Sequence, residues 1–208
     1  MESGAHAVGC TVFPAGTGQT EQQLQAIAEL KPQAYLGTPS FLRQIGIVAG
    51  DHVAIHAMNC PEWVEAFYAC FKLRAVPINI NFRYVESELA HLYEDADAVA
   101  SIVAAEFVDR VPPLHHRLVI GDDYEAALAT ASPERDFDER SPDDHYIVYT
   151  GGTTGMPKGV LWRSHDIFMN AMGGKEVGTW VEMTSYDQIA DRARNNAGFR
   201  LLALPPLM

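Results

Sequence analysis

Apolar positions along the chain follow two different rhythms. Short aliphatic runs such as His52–Ala57 and Val76–Ile80 are bounded by turn residues and read as buried strands. Between such runs apolar residues recur every three or four positions, as on the packed face of a helix. Thr11-Val12-Phe13 predicts a short strand ending in Pro14-Ala15-Gly16-Thr17-Gly18. Glu21–Leu30 predicts a helix with Leu24, Ile27 and Leu30 inward. Thr20 and Gln23 have capping-box spacing, and Lys31-Pro32 ends the run. Ala34-Tyr35-Leu36 is a second strand, and Ser40 caps a short helix through Ile45.

A new unit starts at Gly46. Gly50-Asp51 turns into the His52–Ala57 strand. Pro61 then stands where a first-turn proline is tolerated, and Trp63, Phe67, Cys70 and Phe71 share a helical face through Leu73. Val76–Ile80 is a strand, and Tyr84–Glu94 a helix with Val85, Leu89 and Leu92 inward. Val99–Ala104 and Leu118–Ile120 are further strands. Such alternation predicts an α/β fold: layered, mainly parallel sheets with covering helices.

Residues 121–144 break the rhythm. Asp122, Asp123, Glu125, Glu134, Asp136, Asp138, Glu139, Asp143 and Asp144 face only Arg135 and Arg140, and the spacing of the carboxylates matches no Ca²⁺ loop. A solvated connection is the reading. This stretch carries much of a net charge of -12 over 208 residues. A surface of that sign repels nucleic acid and anionic lipid, so neither is expected as a general partner. The mix of 48% hydrophobic and 20% charged residues is that of an ordinary folded protein. No apolar run is long enough to span a membrane. Cys10, Cys60 and Cys70 form no close pair, and the first ten residues lack the pattern of a secretory leader. Reduced, structural thiols and a cytoplasmic location are expected.

Chemistry concentrates after the acidic stretch. Tyr146-Ile147-Val148-Tyr149 is strand-like and leads into Thr150-Gly151-Gly152-Thr153-Thr154-Gly155-Met156-Pro157-Lys158-Gly159. Val160-Leu161-Trp162 follows, and Ser164 can cap a helix starting near His165. Gly151, Gly152 and Gly155 let the backbone bend until successive N–H groups point into one cavity, an anion-binding nest. Thr150, Thr153 and Thr154 add hydroxyl donors, and Lys158 adds a positive charge. Pro157 stiffens the base. No nucleophile stands beside a base, so the loop is built to hold polyphosphate and not to attack a substrate. Met156-Pro157 and Gly159 distinguish it from a Walker A loop, which needs Gly-Lys-Ser/Thr in a row.

The run from Tyr149 to Val160 resembles the signature loop of the AMP-forming adenylating superfamily, which includes acyl-CoA synthetases, luciferases and peptide-synthetase adenylation domains. Gly50–Ile55, Asn59–Trp63, Lys72–Asn81, Tyr84–Ala98, the Tyr124–Leu128 run and Leu204–Met208 resemble the N-terminal part of bacterial fatty-acyl-CoA synthetases. Residues 1–45 instead resemble a phenylacetate-CoA ligase segment that in those enzymes follows the phosphate loop. The junction near Ile45-Gly46 therefore reads as a fusion of two segments, 1–45 and 46–208, the second a partial AMP-binding domain. The family's later motifs are not matched.

That resemblance implies an ATP-dependent carboxylic acid–CoA ligase. A carboxylate, fatty or aryl, attacks the α-phosphate of ATP; the CoA thiol then displaces AMP. Thr150, Gly151, Gly152, Thr153, Thr154, Gly155 and Lys158 would hold the β- and γ-phosphates, with Mg²⁺ bridging them. No catalytic residue and no metal ligand is assigned. The small molecules ATP, CoA and an acid are the expected partners. Two further readings remain: a non-catalytic fragment or fusion product, and a subunit completed by a second chain. An incomplete sheet edge would favour self-association, and the chain alone is expected to be inactive.

Lesser candidates are Gly16-Thr17-Gly18 and Gly37-Thr38-Pro39-Ser40 as anion cradles, and His52 with His56 as metal ligands lacking a third partner. His115-His116 reads as loop. Trp162 and Trp180 read as packing residues.

Overall fold

The computed structural model describes residues 29, 40–132, 137–151, 155–171, 173–176 and 178–195. The strand and helix expected before Lys31, the Ala34–Leu36 strand, Cys10, Gly16–Gly18, Gly37–Pro39 and Leu204–Met208 lie outside them.

Six strands form one sheet. They are β1 (His52–His56), β2 (Val76–Asn79), β3 (Ala100–Ala104), β4 (His116–Ile120), β5 (His145–Thr150) and β6 (Lys158–Arg163). Their order is β4-β3-β1-β2-β5-β6. All neighbours are parallel except β5 and β6, which form an antiparallel hairpin. The helices are α1 (Ser40–Gln44), α2 (Pro61–Leu73), α3 (Glu86–Asp95), α4 (Asp122–Thr130), α5 (Ser164–Ala171) and α6 (Tyr186–Asn195), with a 3-10 turn over Ala105–Arg110. The mainly parallel α/β fold is thus as the alternating pattern predicts.

The central strands are apolar on both sides, because helices cover both. On one face Val53, Ile55, Ala100, Ile102 and Leu118 meet α1, α2 and α4 through Phe41, Leu42, Trp63, Cys70 and Tyr124. On the other Ala54, Ile78, Val103, Ile147 and Tyr149 meet α3 through Leu89, Leu92 and Tyr93. Each such Leu, Ile or Phe removed from water contributes roughly 1.5–3 kcal/mol. Phe41 and Leu42 belong to this core, so α1 packs as part of the same layer.

The α2 helix shows how local sequence sets the frame. Pro61 occupies its first turn, and the buried positions Trp63, Ala66, Cys70 and Leu73 recur at helical spacing. It ends at Arg74, a non-glycine residue with φ 61°, while the Ala75 N–H donates to the Cys70 carbonyl at 3.0 Å. The Arg74 guanidinium then reaches Asp144, Nε to Oδ1 3.0 Å, tying the end of α2 to the entry of β5.

Three expectations need correction. The acidic stretch is not all connection: its first part is α4, whose Tyr124 is fully buried and donates to Glu65 at 3.1 Å. Asp122, Asp123 and Glu125 stand in its first turn, where negative charge suits the helix dipole. Ser164 does not cap α5; its hydroxyl is buried without a partner, and the Ser164 and His165 N–H groups donate to the carbonyls of Asp144 and Pro142. His116 is not loop but the first residue of β4.

Candidate functional site

The β5–β6 hairpin carries the Gly/Thr/Lys loop. Along β5, Ile147 and Tyr149 turn into the core while Thr150 emerges into solvent. The loop leaves the carboxyl end of a parallel strand, the side on which open α/β sheets bind ligands. Register pairs Tyr149 with Gly159 and Thr150 with Lys158, so the first and last residues of the loop face each other across the hairpin.

Each predicted site residue can now be placed. Thr150 ends β5 and is exposed; Gly151 follows, also exposed. Gly152, Thr153 and Thr154 lie outside the described residues. Gly155 adopts φ +99°, a conformation that favours glycine, and the space beside it is open. Pro157 is buried at the base of the hairpin. Lys158 opens β6 and is exposed, and no side-chain hydrogen bond or ion pair to another described residue ties it down. The geometry brings Thr150 and Lys158 together and leaves their donors facing solvent. The Lys158 ammonium and the Thr150 hydroxyl are both groups that can donate to an oxyanion.

A residue that the sequence reading missed anchors this hairpin. Tyr149 donates its hydroxyl to Asp95 Oδ2 at 2.6 Å. Burial, then the Asp95 carboxylate, raises the Tyr149 phenol above its ordinary range, so it stays a protonated donor at neutral pH. Periodicity gives no signal for a pair 54 residues apart.

The other candidates fall elsewhere. His52 and His56 lie on one face of β1, yet they are used differently. The His52 Nδ1–H donates to the Ala96 carbonyl at 2.5 Å. His56 is fully buried and stacks on Phe107 at 4.6 Å. Among the described residues, no group of three or more His, Cys, Asp or Glu side chains is arranged to hold a metal ion. Trp162 and Trp180 are 40% and 72% exposed, contrary to the packing role read for them. Cys70 is buried and Cys60 half-buried, both free thiols. A shallow cavity of about 620 Å³ lies between Glu176, Val181, Glu182, Met183, Gln188 and Arg192, none of them in the loop. No helix among the described residues is long and apolar enough to cross a membrane.

The AMP-binding enzyme family matches residues 38–193, three quarters of the chain. The chain belongs to that family. It is 42% identical to a 3-oxocholest-4-en-26-oate–CoA ligase of Rhodococcus rhodochrous, over 81% of this chain and 34% of that protein. It is 44% identical to the medium-chain acyl-CoA ligase Mig of Mycobacterium avium, over 77% of this chain and 32% of that protein. The fold superposes on the inhibitor-bound N-terminal domain of FACL13 from Mycobacterium tuberculosis with a TM-score of 0.60 and 27% identity, covering 67% of this chain and 38% of that one. The chain therefore spans about a third of the length of the curated relatives it matches.

Proposed function

We propose that this AMP-binding family member supplies the polyphosphate-holding part of an ATP-dependent carboxylic acid–CoA ligase. The observation that carries the reading is the hairpin register, with Lys158 opposite Thr150 at the two ends of a glycine-rich loop. In this reading Thr150, Gly151, Gly152, Thr153, Thr154, Gly155 and Lys158 hold the β- and γ-phosphates. Lys158 offsets charge that builds on the leaving pyrophosphate when a carboxylate attacks the α-phosphate. The N–H and hydroxyl donors keep the phosphate chain in line. Mg²⁺ would arrive with the nucleotide and supply further charge neutralisation, since the loop offers hydroxyl, N–H and ammonium groups and no carboxylate to hold it. CoA enters only after adenylation, to take the acyl group as thioester.

Relatives named as acyl-CoA ligases support a fatty or related apolar acid as substrate. ATP and CoA are cytoplasmic pools, which supports a cytoplasmic location. Residues 1–45 are read as a phenylacetate-CoA-ligase-like segment joined at Ile45-Gly46.

Calorimetric titration with ATP and with Mg-pyrophosphate tests the loop. The chain is expected to bind both, and Lys158→Ala to weaken binding tenfold or more, on the order of the charge-assisted bonds it removes. Equal binding by the variant contradicts the assignment.

A second reading has an observation of its own. Every residue of β6 is exposed, and Leu161 is 58% exposed. An edge like this would suit a subunit completed by another polypeptide. Acyl-CoA formation that appears only when a second polypeptide is added would favour that reading; formation by the chain alone would favour a self-sufficient enzyme.

A further inference from the structure

Tyr149 stands one residue before the loop and is 8% exposed. Its ring lies over Gly159, its partner across the hairpin: a Cβ on Gly159 would come within 3.0 Å of Tyr149 Cζ and 3.2 Å of Oη. The hydroxyl continues to Asp95, the last residue of α3. One side chain thus joins β5 next to Thr150, β6 next to Lys158, and the end of a helix packed beneath the sheet.

Two features say that this is more than packing. Asp95 sits in the last turn of α3, where no basic residue stands and where a negative charge is disfavoured by the helix dipole. Helix stability does not account for it; a strong acceptor for Tyr149 does. Glycine at 159 is likewise explained by the ring above it. Its backbone is ordinary, and only the approach of Tyr149 limits its side chain.

We propose that Tyr149 is a positioning residue for the phosphate hairpin, setting the separation and pitch of Thr150 and Lys158 through its contact with Gly159 and its hydrogen bond to Asp95. The proposal rests on the reading of the loop as a polyphosphate site. Losing the hydroxyl leaves the ring in place but frees the hairpin to tilt, so the donors meet phosphate less well.

The test uses the full chain with Tyr149→Phe, Asp95→Ala, Asp95→Asn and the double variant Tyr149→Phe/Asp95→Ala. Each is melted and titrated calorimetrically with Mg-pyrophosphate. Tyr149→Phe and Asp95→Ala should each weaken binding about threefold to tenfold, the size of one hydrogen bond. The double variant should be no weaker than either single one. Asp95→Asn should bind as the parent does, because its amide oxygen still accepts. Melting points should shift by no more than about 4 °C. Parent-like binding by Tyr149→Phe, additive losses, or an Asp95→Asn as weak as Asp95→Ala overturns the positioning role. Binding lost in Lys158→Ala but intact in Tyr149→Phe overturns this role alone. Absence of binding by the parent chain overturns the phosphate reading with it. Asp95 is exposed, so its variants read out even if Tyr149→Phe fails to fold.

Discussion

His56 is buried in the sheet with neither ring nitrogen bonded. Burial first, and the nearby Arg110 charge second, hold its pKa down at about 4. Arg110 itself lies 5.4 Å over the Phe107 ring on which His56 stacks. The unfolded chain takes up this proton near its ordinary value, so between about pH 6.5 and about pH 4 the unfolded state binds more protons. Stability is therefore full above that window and falls as pH drops through it, by about 3 kcal/mol from this residue. His56→Leu, close in volume, should flatten that part of the pH–stability curve and leave stability at pH 7 equal or higher. Urea unfolding of both proteins from pH 7 to pH 4 checks it; parallel curves would contradict the assignment.

Among the elements, the entry to β1 is set by two glycines of different kinds. Gly46 has φ +94°, and a Cβ there would lie 2.8 Å from His116 Cε1 of β4. Gly50 has φ +88° but open space around it. Gly46→Ala should cost about 2–3 kcal/mol, strain plus clash, and Gly50→Ala about 1 kcal/mol, strain alone. Similar losses in chemical denaturation would mean that His116 moves aside freely. The contrast also shows what was legible. Strands β1, β2 and β3 and helices α2 and α3 follow from periodicity because each buries a regular face, except that Val85, expected inward, precedes α3 and is 58% exposed. The α4 helix was hidden because its charges outnumber Tyr124, the residue that fixes it in the core. The mostly polar α6 segregates its few apolar residues to one side but has Ile189 as its one large aliphatic residue, which makes it a weak signal. For the site, composition alone singles out the loop proposed to hold phosphate, since glycines, threonines and a lysine within ten residues can present backbone, hydroxyl and ammonium donors together. The pairing of Thr150 with Lys158, and of Tyr149 with Asp95, depends on where α3 docks and is invisible in the chain.

At the scale of the whole molecule, two properties pull in different directions. Net charge of -12 favours solubility, while β6 leaves an edge exposed on both faces with Val160, Leu161 and Trp162 in solvent. The chain should self-associate through this edge as its concentration rises, and Leu161→Lys should reduce it. Light scattering after size-exclusion chromatography checks this; a parent chain that stays monomeric throughout would contradict it. Under the same negative field, the anion binding proposed above would have to come from the local donors of the hairpin and not from the surface at large. Amide chemical shifts of the chain during titration with Mg-pyrophosphate locate the bound anion. Saturable changes clustered from Tyr149 to Gly159, and lost in Lys158→Ala, are expected. Changes centred elsewhere, such as around Glu176 and Arg192, or no saturable change, would contradict binding at the hairpin.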